Sequence, residues 1–194
     1  EKLSRIAFAE TAYYDSVISE YFNKITNTTF PQKKIFHTNL IDELRYGENP
    51  HQLSAIYSIK DSLNLNQLNG KQLSYNNFAD IYAALTISKS LPEKKGVVIV
   101  KHANPCGVSI IKDKIKCYQS ALACDPTSAF GGIVSCNFKM NSKLALELNK
   151  IFLEVIIANK FDKDALKILK KKNNLRLIDS SNFTLDEAFK INSF

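Results

Sequence analysis

The sequence predicts a layered α/β domain with a mostly parallel or mixed sheet, preceded by a helical arm. Three observations carry this. Of four short, mainly apolar runs, Val97–Val100 and Val155–Ala158 are unbroken, while Ile133–Cys136 and Leu175–Ile178 are interrupted only by Ser135 and Arg176, as in strands covered on both faces. Stretches with helical punctuation alternate with these runs, which is the pattern of layered α/β folds. A length of 194 residues with 45% hydrophobic and 23% charged residues is ordinary for one well-packed globular domain with a short appendage.

In chain order, residues 3–23 read as an amphipathic helix, because Leu3, Ile6, Ala7, Val17, Ile18 and Tyr21 recur near a 3.6-residue period. The segment from Asn27 to Pro31 breaks it. Ser54 to Ile59 reads as a strand, and Asn69-Gly70 as a turn. A helix is expected to start with Asn77 as its N-cap and Asp80 near the positive dipole end. Phe78, Ile81, Tyr82 and Leu85 form its apolar face, and Pro92 lies beyond its end. The run Val97–Val100 follows Gly96 and suits a central strand of a parallel sheet, with Asn104-Pro105-Cys106-Gly107 turning the chain. A helix over 113–123 stops at Asp125-Pro126, and helices over 142–151 and 163–171 separate the later strands. Lys170-Lys171-Lys172 would complement the C-terminal dipole of the last helix. Leu185 to Phe194 begins a further element.

Composition narrows the function classes. No apolar run approaches the ~20 residues that span a bilayer, and Glu1-Lys2-Leu3-Ser4-Arg5 lacks a signal-peptide pattern, so a cytoplasmic protein is expected. A net charge of +7 arises from dispersed lysines, with no aromatic-interleaved basic stripe. A solvated surface is favoured over a nucleic-acid interface, although positive potential would attract a phosphorylated substrate. Cys106, Cys117, Cys124 and Cys136 show no CxxC spacing and read as structural thiols.

The densest chemistry lies at Val100-Lys101-His102-Ala103-Asn104-Pro105-Cys106-Gly107. Ligands of α/β sheets bind beyond the carboxyl ends of strands. A lysine and a histidine placed there supply a fixed cation and a proton acceptor. Zinc-dependent deamination is disfavoured, since Asn104 stands where the general-acid glutamate would be and Ser109 where a second cysteine would be.

Around this corner, Leu44 to Gln52, Leu73 to Asn77, Val100 to Val108 and Asp125 to Val134 together resemble the AICAR transformylase/IMP cyclohydrolase family of purine biosynthesis. Fainter similarity runs along the first helix and Phe152 to Ala158. The resemblance implies a three-layer α/β/α, cytidine-deaminase-like unit without zinc, over residues 41–194. Residues 1–40 would be a linker arm after a cyclohydrolase domain, with a second transformylase unit beyond, so the chain is expected to be part of a longer enzyme. The implied reaction moves a formyl group from 10-formyltetrahydrofolate to the 5-amine of AICAR, in a cytoplasmic homodimer, with no metal, nucleic acid or membrane. By resemblance His102 accepts the proton and Lys101 stabilises the transition state. Arg45, Tyr46, Gly131 and Glu154 bind AICAR, and Asn104 braces the turn. Imidazole titrates near neutrality, a guanidinium fork suits phosphate, and a glycine permits close backbone approach. Asn159 replaces a proline usual after this strand in the family. A non-catalytic nucleotide- or RNA-binding module on the same scaffold is the alternative.

Overall fold

A computed structural model describes residues 1–185; from residue 186 on, the element expected over 185–194 lies outside the described residues. The elements are α1 (Lys2–Ile25), β1 (Asn39–Leu44), β2 (Ser54–Ser58), β3 (Asn66–Asn69), α2 (Tyr75–Ser90), β4 (Gly96–Lys101), β5 (Asn104–Ile110), α3 (Lys114–Cys124), α4 (Pro126–Ala129), β6 (Ile133–Cys136), α5 (Ser142–Leu148), β7 (Val155–Ala158), α6 (Lys163–Leu169) and β8 (Arg176–Asp179). The chain divides into two compact units, one of Glu1–Asp42 and Ile56–Ser62, the other of Glu43–Ala55 and the chain from Leu63 onward. No described helix is long and apolar enough to cross a membrane.

In the first unit, α1 matches the helix expected over 3–23. Its Leu3, Phe8, Tyr14 and Tyr21 are exposed. Tyr13 meets the His37 ring edge-on at 5.3 Å, and Glu20 pairs with Lys24 at 2.8 Å and with His37 at 3.4 Å. β1 and β2 form a separate two-stranded sheet.

The second unit is a three-layer α/β/α sandwich around a six-stranded sheet of order β3-β8-β7-β6-β4-β5. Strands β6, β7 and β8 run parallel. β4 is antiparallel to both β5 and β6, and β3 is antiparallel to β8. The apolar runs are strands buried on both faces, as expected. Val98 and Val100 pack with Ile81, Ala84 and Leu85 of α2 on one face. Val97 and Ile99 pack with α3, α5 and α6 on the other. Period-two alternation thus splits each strand between two cores.

Several local expectations are corrected. Val97–Val100 is covered on both faces yet pairs antiparallel, because two helical layers bury any strand between them regardless of its direction. The N-cap of α2 is Ser74, whose side chain accepts from the Asn77 amide, while the Asn77 side chain accepts from the Ser74 amide. Asn77 is therefore the third helical residue of a reciprocal cap. The sharp turn is His102-Ala103, and Asn104–Gly107 opens β5. Within the lysine run that follows α6, Lys172 reaches away from that helix and donates to the carbonyls of Asn149 and Ile151 at 2.9 and 3.1 Å, beyond α5. β1, β3, β5 and the single turn α4 lacked strong periodic signals, and α5 and α6 stop short of their expected ends.

Candidate active site

β4 and β5 form a hairpin whose loop is two residues long. Lys101 pairs with Asn104 and Val100 with Pro105, while Ile99 pairs with Gly107, so Cys106 is an extra residue in β5. His102 and Ala103 have φ of 52° and 58°. Two-residue hairpin loops of this kind require positive φ at both positions and favour Asn or Gly. Two non-glycine residues there carry backbone strain of about 1–3 kcal/mol each. The turn is held from two sides. Asp80 Oδ1 of α2 accepts from the Ala103 amide at 2.6 Å, and Asn104 Nδ2 donates to the His102 carbonyl at 2.8 Å. His102 is exposed at this tip.

The register of the sheet gathers the other groups. Val100 pairs with Ile133, Ile133 with Val155, and Val155 with Arg176. Lys101, Gly131-Gly132, Glu154 and Arg176 therefore line one rim. This rim is the carboxyl end of β4 but the amino end of β6, β7 and β8, so the rule for open parallel sheets does not locate it. Lys101 Nζ donates to the Phe130 carbonyl at 2.7 Å. Gly131 donates to Phe152 O at 2.9 Å, and the Glu154 amide to Gly132 O at 3.1 Å.

Gly131 has φ of 75°, and a methyl group there would meet the Phe152 ring at an ordinary 3.6 Å. Its glycine is required by backbone conformation. Close approach occurs next door, where a Gly132 Cβ would lie 2.8 Å from Val100 O. The Glu154 carboxylate accepts from Asn77 Nδ2 at 3.0 Å and faces Arg176 at 3.8 Å. Sequence reasoning missed Arg176 and did not connect Asn77 or Asp80 to the rim. The only available signal was that Asn77 and Asp80 lie three apart on one helix.

Arg45 and Tyr46 open a tight loop in which Gly47 donates to Gln52 O at 2.7 Å. The Arg45 guanidinium lies 5.5 Å from the Tyr46 ring centre. Among the described residues no hydrogen bond or ion pair joins these two to the strand-end rim. Burial, reinforced by Asp125, pushes the Cys106 thiol up, which disfavours its thiolate form. Ser128 hydrogen bonds hold the Asp125 carboxyl below its usual range, at the cap of α4 leading into Gly131. The four cysteines are free thiols, and no group of three or more His, Cys, Asp or Glu side chains among the described residues could hold a metal.

An α/β/α unit with Lys-His at a hairpin tip, on the same sheet rim as a left-handed glycine and a strand-entry glutamate, gathers groups able to do acid-base and electrostatic chemistry. Its family follows from comparison with known proteins. The model of the AICARFT/IMPCHase bienzyme family matches residues 1–193, and the chain belongs to that family. It is 47% identical over 184 residues to the bifunctional purine biosynthesis protein PurH of Listeria welshimeri, covering 92% of this chain and 36% of that protein. The protein of the same name from Bradyrhizobium diazoefficiens is 45% identical, over 91% of this chain and 34% of its own length. That of Elusimicrobium minutum is 40% identical over the whole chain and 37% of its own length. The chain thus spans little more than a third of the length of these relatives.

Proposed function

We propose that this chain supplies the Lys-His portion of an AICAR transformylase site, in a protein of the length of its relatives. The supporting observation is the convergence of Lys101, the His102 turn, Gly131 and Glu154 on one sheet rim. The reaction is transfer of the formyl group of 10-formyltetrahydrofolate to the 5-amine of AICAR. That amine is conjugated with the ring and carboxamide, so it is a weak nucleophile until deprotonated. His102 accepts its proton as nitrogen attacks the formyl carbon. The Lys101 ammonium, one N–H already on the Phe130 carbonyl, offers its remaining protons to the developing oxyanion. Collapse breaks the bond to N10 of the folate, and the proton held by His102 passes to that nitrogen. The products are FAICAR and tetrahydrofolate.

Glu154 accepts hydrogen bonds from the AICAR amide donors, Gly131 lets the backbone approach, and Arg45 with Tyr46 holds the phosphate. Asn104 braces the turn. The folate site, the cyclisation of FAICAR to IMP and assembly into a cytoplasmic homodimer belong to the longer protein in this reading.

The test replaces the matching segment of the Listeria welshimeri relative with this chain and measures formyl transfer. His102→Ala in that chimera is expected to lower kcat by at least about 100-fold while AICAR binding by calorimetry stays measurable. Arg45→Ala should weaken AICAR binding instead. Near-normal turnover of the His102 variant removes the proposed base. A chimera that binds RNA in a salt-sensitive way and not AICAR replaces the reading with a binding module.

A further inference from the structure

We infer that Asp80 is a positioning residue for His102, and that the first turns of α2 set the two halves of the rim against each other. This rests on the formyl-transfer reading for its catalytic consequence, but not for its geometry. His102 and Ala103 sit in positive-φ conformations that neither residue favours. An isolated hairpin of this sequence would leave that turn partly unformed, since no glycine relieves it. Asp80 supplies what the turn residues lack. Its Oδ1 takes the Ala103 amide proton at 2.6 Å, a charge-assisted bond stronger than a neutral one. The pin comes from a helix that is itself anchored, through Ile81, Ala84 and Leu85, in the core beneath the sheet.

Asn77 lies three residues earlier, on the same side of α2. Its side chain closes the Ser74 cap and donates to Glu154 at 3.0 Å. The same helix end therefore holds the acidic group beside β7 and the backbone of the β4–β5 tip that carries His102. Neither Asn77 nor Asp80 need touch a ligand to do this. Displacing a proton acceptor by about 1 Å is enough to cost up to 100-fold in rate.

The first test uses the 194-residue chain and NMR. Asp80→Asn, which removes the charge while keeping the turn through its amide oxygen, should move the Ala103 amide proton upfield. Asp80→Ala should raise Ala103 amide exchange at least about 10-fold and give His102 more than one resonance, with amides of β6 and β7 still protected. Adding Ala103→Gly should restore one His102 resonance, because glycine adopts positive φ without steric cost. An Ala103 amide indifferent to Asp80, or an Asp80→Ala spectrum unchanged at His102, overturns the pin.

In the chimera, Asp80→Ala should lower kcat about 10-fold with KM for AICAR within twofold, and Ala103→Gly should recover most of it. An unchanged kcat overturns the catalytic consequence. An inactive wild-type chimera with an intact NMR response supports the pin and overturns the formyl-transfer reading.

Discussion

At the scale of single residues, position and identity part company in informative ways. His102 and Lys101 were legible because their residue types are reactive and follow a strand. Their turn was misplaced because His-Ala carries none of the Gly, Asn or Asp that normally marks such a loop. Gly131 was legible as a functional glycine, and its φ of 75° adds a conformational reason for glycine that the sequence did not signal. Tyr118 was invisible to periodicity as anything but core. Its side chain is buried and its hydroxyl has no hydrogen-bond partner among the described residues. Burial, with Glu147 adding to it, pushes its pKa up to about 12. The unfolded phenol loses its proton first, near pH 10, so stability should fall as pH rises from there towards about 12. Tyr118→Phe should remove most of that alkaline loss and raise stability at pH 7 by about 1 kcal/mol, since it deletes an unsatisfied polar group. Urea titrations at pH 7 and pH 10.5 check both; equal slopes with pH in the two proteins would exclude Tyr118 as the source.

At the scale of elements, the apolar strands and the long helices were read correctly because burial on two faces and a 3.6-residue period are local signals. β5 was missed because Pro105 and the extra residue at Cys106 spoil its alternation. β3 was missed because Asn66-Gln67-Leu68-Asn69 has little strand propensity and is held by pairing with the distant β8. Gly107, the end of the reactive motif, belongs to this scale. A methyl group there would overlap the Ala121 carbonyl of α3. Its role is to let α3 lie flat on β5. Gly107→Ala should destabilise the domain by about 3 kcal/mol or more, read as a lowered urea midpoint. Loss of formyl transfer in that variant without loss of stability would instead assign Gly107 to the site.

At the scale of the whole chain, family membership was legible from motifs in register, and the direction of the rim was not, because strand polarity is a tertiary property. The far end of the sheet shows the same limit. Asn159, just past the end of β7, is a hub. It accepts from Lys89 Nζ at 3.1 Å and from the Ser180 hydroxyl at 3.2 Å, and it donates to Asn137 O at 3.0 Å. Asn137 in turn donates to Pro92 O at 2.9 Å. Asn159→Pro should strand these partners and cost about 2 kcal/mol, measured by urea unfolding. AICAR affinity in the chimera should stay within twofold; a larger change would couple the two ends of the sheet. The rim itself has a metric consequence. Its groups enter on β4, β6, β7 and β8 in adjacent order, and adjacent strands lie about 4.8 Å apart. The rim is therefore a ruler, with Lys101 and Glu154 two graduations apart, about 10 Å between backbones. A ligand touching both is selected for its length before any single hydrogen bond discriminates.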